Sequence, residues 1–138
     1  MPGGLTTREM PENRKIAIEA PELGRVEAVL RERECPATCK AVWEALPQTV
    51  HLSRWGDELY GEIDASAPPE NPREECEVGD VAYWLDGSGF CILFGRTPAS
   101  TSDKPRLVSP GNVFAKVEGD PSVFRNFDAL TVVLKRVD

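Results

Sequence analysis

Val81-Ala82-Tyr83-Trp84-Leu85-Asp86-Gly87-Ser88-Gly89-Phe90-Cys91-Ile92-Leu93-Phe94 is the stretch that sets the frame for the rest. Asp86-Gly87-Ser88-Gly89 is a strong hairpin turn, because these residue types reach the backbone angles of a tight reversal. It predicts two antiparallel strands, Val81–Leu85 (entered through Gly79-Asp80) and Phe90–Phe94. The second is an unbroken apolar run, which predicts a strand covered on both faces. Adjacent Tyr83 and Trp84 must point to opposite faces of their strand. One of them packs inside while the other lies outward under a helix or loop.

Similar patterns flank this hairpin. Upstream, Ile16 and Ile18 alternate with Lys15, Ala17 and Glu19, and Val26, Ala28 and Leu30 alternate with Arg25, Glu27 and Arg31. The turn-forming Pro21-Glu22-Leu23-Gly24 joins them into a second hairpin. Cys39, Val42, Trp43 and Leu46 recur at helical spacing, with Pro36 in the first turn and Pro47 ending the helix. Val50–Arg54 and Glu58–Ile63 read as strands joined by the bend Trp55-Gly56-Asp57. Ala65–Arg73 is a proline-rich loop, and Arg96–Ser109 a second loop. Val113–Val117 is a strand, Asp120-Pro121 opens a short helix carrying Val123, Phe124 and Phe127, and Leu130–Leu134 is the last strand. The fold class is therefore mainly β: eight short strands, one main helix and one short helix. Eight strands close into a barrel that their interior side chains just fill, leaving no exposed edge. Residues 1–14 read as a loose tail and 15–138 as one domain, the size a single core supports.

Charge and motifs narrow the function. Lys and Arg number 16 against 23 Asp and Glu, a net charge of −7. An acidic protein of this kind is expected to bind neither nucleic acid nor anionic membrane. No stretch approaches the roughly 20 apolar residues of a membrane span. Met1-Pro2-Gly3-Gly4-Leu5 lacks a basic-then-apolar signal pattern, so a soluble, cytoplasmic protein is expected. Cys35-Pro36-Ala37-Thr38-Cys39 has zinc-like spacing but no second pair, and Cys76 and Cys91 stand alone. Buried free thiols are the favoured reading over disulfides or a metal. No phosphate loop, dinucleotide fingerprint or metalloprotease motif is present, and no cofactor is expected. His51, the sole histidine, reads as an exposed or hydrogen-bonded strand residue, because no nucleophile elbow accompanies it.

Several segments together resemble the cyclophilin fold, and in particular its uncharacterised bacterial and archaeal cyclophilin-like proteins. They are Cys35-Pro36-Ala37-Thr38 with Leu46-Pro47, Glu70-Asn71-Pro72-Arg73, Gly79–Trp84, Cys91–Pro98 and Gly111–Lys116. The resemblance implies a closed eight-stranded barrel. True cyclophilins are peptidyl-prolyl isomerases, which lower an amide rotation barrier of ~18–20 kcal/mol. Their catalytic arginine aligns near Leu52, with Arg54 two residues on along the same strand face. Their pocket glutamine aligns with Gly89 and their second pocket aromatic with Cys91. Efficient isomerisation is therefore not expected, and no catalytic residue is assigned.

The site expected from these readings is an aromatic-lined cleft for a small molecule or an extended peptide. Trp55, Tyr60, Tyr83, Phe90 and Cys91 are its candidate walls and floor, and Arg54, Asn71, Arg73 and Asn112 its polar anchors. Core packing is the competing reading for the aromatics, and it is preferred for Trp84 and Trp43. A prolyl isomerase with non-standard residues and an assembly domain, such as a homodimer, are the alternatives.

Overall fold

The computed structural model describes residues 14–138. The expected tail, residues 1–14, lies outside that range save for Arg14. The Arg14 carbonyl accepts from the Leu30 N–H, and its guanidinium pairs with Glu32.

β1 (Lys15–Ala20) and β2 (Gly24–Leu30) form the first hairpin, and helix α1 (Pro36–Glu44) follows. β3 (Gln48–Arg54) and β4 (Glu58–Glu62) are joined by the Trp55-Gly56-Asp57 bend. After the proline-rich loop come β5 (Arg73–Glu75), β6 (Asp80–Trp84) and β7 (Gly89–Leu93). β8 (Arg106–Val117), a 3-10 helix (Pro121–Asn126) and β9 (Ala129–Val137) complete the chain. The strands run in the order β2-β1-β9-β3-β4-β7-β6-β8, all antiparallel. Pairing of Ala28 with Val117 and of Leu30 with Ala115 joins β2 to β8 and closes the barrel of eight.

Two elements depart from the sequence reading. β5 starts at Arg73, the last residue of the expected proline-rich loop, runs on to Glu75 where no strand is expected, and pairs with β8 outside the barrel. β8 begins at Arg106, seven residues before the expected start. Its early half contains Ser109-Pro110-Gly111, whose composition marks loop rather than strand. Gly111 permits the close packing there, since a Cβ at this position would sit 2.9 Å from the Tyr83 carbonyl.

Strand parity fills the interior. Ile16 and Ile18, Val50 and Leu52, Phe90 and Ile92, and Leu130, Val132 and Leu134 all point inward. Cys39, Val42 and Leu46 of the helical segment join the same cluster, so the apolar stripe of α1 completes the core. All four cysteines are free and buried.

The start of α1 is capped from a distance. Cys35, at the N-cap, makes no side-chain capping bond. Glu70 of the proline-rich loop supplies one: its carboxylate accepts from the N–H groups of Ala37 (2.9 Å) and Thr38 (2.8 Å) and from the Thr38 hydroxyl (2.6 Å). Negative charge at a helix N-terminus is stabilising. Partial burial works to raise the Glu70 pKa, but these three donors outweigh it and hold the carboxyl below its ordinary value. Asn112, fully buried on β8, holds the loop in turn. Its Oδ1 accepts from the Glu70 N–H, and its Nδ2 donates to the Thr38 hydroxyl and the Pro68 carbonyl, all at 2.9 Å. Asn112→Ala strips three hydrogen bonds, one of them to the buried Thr38 hydroxyl, and is expected to lower stability by about 2–4 kcal/mol in urea unfolding. A loss under about 0.5 kcal/mol, the scale of an ordinary surface substitution, would show that the network does not hold the loop.

Candidate functional site

The outer face of β4, β7 and β6 carries a second apolar layer. Tyr60 pairs with Cys91 and Glu58 with Leu93, while Ala82 of β6 pairs with Cys91 on the other side. The period of two therefore puts Glu58, Tyr60, Cys91, Leu93, Ala82 and Trp84 on the face opposite the barrel core. Cys76, beside β5, and Leu107, on β8, cover part of this face and form a cluster with Ala82, Cys91, Leu93 and Val113. This is why the Phe90–Leu93 run is apolar on both sides.

Where that cover stops, a cavity of about 270 Å³ opens. Cys91 and Glu58 form its buried base, and Trp55, Tyr60, Trp84, Leu107 and Val108 its walls. Trp84 is fixed in place: its indole N–H donates to Ser109 Oγ at 2.7 Å, and that hydroxyl donates to Asp86 at 2.7 Å. The ring lies against the hairpin turn, where a Cβ on Gly87 would fall 2.2 Å from Trp84 Cζ3. Tyr60 and Val108 are among the few exposed large hydrophobics, and both stand at the rim.

Glu58 is the anomaly of this face. It is only 4% exposed, and its Oε1 has no hydrogen-bond partner. Burial in apolar surroundings pushes the carboxyl up to about 7, against a smaller opposing effect of the Cys91 thiol hydrogen bond. Burial likewise holds the Cys91 thiol well above its ordinary value, and the Glu58 charge adds to the effect.

The structure brings three of the nine expected site residues together: Trp55, Tyr60 and Cys91 line the cavity. Tyr83 and Phe90 have the opposite parity and face the barrel interior, 3% and 1% exposed. The Tyr83 hydroxyl donates to the Ala65 carbonyl at 3.0 Å, and Phe90 packs edge-on against Phe114. Arg54 is engaged behind the 55–57 bend. It donates to the carbonyls of Gly56 (2.6 Å) and Arg125 (2.7 Å) and to Asp57 (2.9 Å), with its guanidinium over the Phe94 ring. Asn112 belongs to the α1 capping network, and Asn71 donates to the Glu34 carbonyl at 2.7 Å beside it. Arg73 is exposed on β5, opposite Gly111. His51 is exposed, with Nδ1 3.0 Å from the Thr131 hydroxyl. The cavity residues absent from the sequence reading are Glu58, Trp84, Leu107 and Val108. Strand parity links Glu58 to Tyr60, but nothing local in the sequence marks its burial.

The closed antiparallel barrel with this helix can now be set beside known proteins. A family model described as cyclophilin-like matches residues 14–135. This chain belongs to the cyclophilin-like family. A solved structure similar to this cyclophilin-like barrel is the solution structure of a hypothetical protein from Archaeoglobus fulgidus. It is 32% identical, with 91% of this chain and 95% of that one covered and a TM-score of 0.75. No curated protein matches the sequence. The resemblance read from the residues and the family shown by the comparison agree. Among the described residues, no helix of this cyclophilin-like chain is long and apolar enough to cross a membrane.

Glu58 gives this face a pH signature. Its folded pKa lies above its ordinary value, so between about pH 4.5 and 7 the folded state holds a proton that the unfolded chain has lost. Stability from this group is therefore full below that window and declines as pH rises through it. The loss by pH 8 is about 3 kcal/mol. Glu58→Gln removes the titration and keeps the shape. The variant is expected to gain stability on wild type by that amount between pH 4.5 and 8 in parallel urea titrations. A constant difference across this range would mean that the carboxyl is not held protonated.

Proposed function

We propose that this cyclophilin-like protein binds a small molecule in the outer-face cavity and does not catalyse prolyl isomerisation efficiently. The observation that carries the reading is an open cavity with three aromatic walls and a single buried polar group at its base. A mostly apolar hollow with few, well-placed polar atoms is the usual form of a ligand site. Its volume of about 270 Å³ favours a compact molecule over an extended peptide. Trp84 is anchored before any ligand arrives, which limits the ordering cost of binding. The non-catalytic part of the proposal rests on two residues. Leu52, near which the resemblance aligns the catalytic arginine of true cyclophilins, is buried in the core. Arg54 spends its donors on the 55–57 bend and on the segment around Arg125. A cytoplasmic setting fits four reduced thiols in buried positions.

The test is a fragment screen on isotope-labelled protein by NMR. Shifts are expected to concentrate on Trp55, Tyr60, Trp84 and Val108, and Trp84→Ala to weaken the best fragment about tenfold, the value of one aromatic wall. A protease-coupled assay on a proline tetrapeptide is expected to stay at background. Shifts gathering on another face would remove the cavity from consideration, and robust isomerisation would overturn the non-catalytic reading.

A further inference from the structure

The cavity presents a buried acceptor that nothing in the protein uses. Glu58 Oε1 is without a partner at the base of an otherwise apolar hollow. Leaving such a group unpaired is costly, and the cost is recovered when a ligand donates to it. We propose that the ligand is a compact protonated amine whose ammonium N–H donates to Glu58 Oε1 while its apolar body lies among the aromatic walls. This deepens the small-molecule reading above and rests on it.

Three observations select an amine over other donors. First, a bond between an ammonium and a carboxylate is roughly twice as strong as a neutral one. Second, Trp55, Tyr60 and Trp84 surround the same space, and the faces of such rings attract cations. Third, the chain carries a net charge of −7, which favours the approach of a cation and disfavours that of an anion. An anionic ligand would meet a buried carboxyl and find no cation among the cavity residues.

The other titratable groups here do not compete for the role. Cys91 of β7 bonds to the Glu58 carboxyl, and burial holds its thiol well above the ordinary value. Burial pushes the Cys76 thiol up to about 12. Tyr60, on the same strand as Glu58, is exposed at the rim. Around neutrality, Glu58 is thus the group whose charge state an arriving cation shifts. Amine binding expels the Glu58 proton, so affinity rises with pH through the titration of this carboxyl.

Benzylamine and benzyl alcohol share shape and differ in charge. Each is titrated into the full chain, wild type and Glu58→Gln, with amide and indole NMR shifts as the readout. At about pH 7.5 the amine is expected to bind wild type about tenfold more tightly than the alcohol. This preference is expected to shrink severalfold at about pH 5.5 and in Glu58→Gln, whose spectrum reports that it is folded, leaving only the share that the ring faces supply. Equal binding of both probes at the cavity, or an amine preference that is undiminished in Glu58→Gln, would overturn the amine assignment and leave the small-molecule site standing. Failure of both probes to move cavity resonances would remove the amine assignment, and failure of the wider fragment screen would remove the site itself. Tyr60→Leu, at an exposed position, provides a second variant and is expected to reduce the amine preference severalfold through the lost ring face.

Discussion

A β-strand can be apolar on both faces only where something covers the outer one, and β7 imposes that requirement on the whole molecule. Phe90 and Ile92 belong to the barrel core, whereas Cys91 and Leu93 need cover outside it. The chain meets the demand by extending β8 back to Arg106 and adding the short β5 at its flank. Cys76 and Leu107 thereby reach the outer face. The cover is partial, and the cavity is the part left open. Barrel closure through β2 and β8 and the hollow on the outer wall are thus two consequences of one long strand, whose late half seals the barrel and whose early half roofs the second cluster.

The barrel was legible in the sequence because its signals are local. Alternation in Lys15–Ala20, the turn at Asp86–Gly89 and the Cys39–Leu46 spacing each report a backbone state within a few residues. The eight strands and the main helix stand where these patterns put them. β5 and the first half of β8 were not legible, since each is held by pairing with a distant segment; β5 is three charged residues without an apolar alternation, and the first half of β8 carries residues that favour loops. The capping of α1 has the same character. Nothing near Cys35 announces that its missing cap comes from Glu70, or that Asn112 on β8 secures that loop.

The site was legible only in part, and parity explains the division. Trp55, Tyr60 and Cys91 are at the cavity, whereas Tyr83 and Phe90 share an interior face with the core. Tyr83 and Trp84 had to diverge, but which of them turned inward depends on the register with β7, which no single strand encodes. Trp84 then served both readings: it is packed against Gly87 and tied to Ser109, and it still lines the cavity. Glu58 escaped notice because a glutamate flanking a bend reads as solvated.

Arg54 serves the outer cavity without lining it. It follows Leu52 on the same inward-facing parity, so its guanidinium lies over Phe94 and not over the outer cavity. Its bonds to Gly56 and Asp57 brace the bend whose first residue is Trp55, and Arg125 clamps the same Asp57 from the 3-10 helix. The arginine therefore acts on the cavity through the loop that supplies one of its walls. Asp57 is partly buried between two guanidinium groups, an arrangement that holds more firmly than an isolated surface pair. The barrel supplies a rigid frame, and the chemistry on offer follows from which side chains the frame leaves uncovered. In this chain the outer wall offers three aromatic rings over a buried carboxyl, while the inward arginine braces the bend that carries one of the rings.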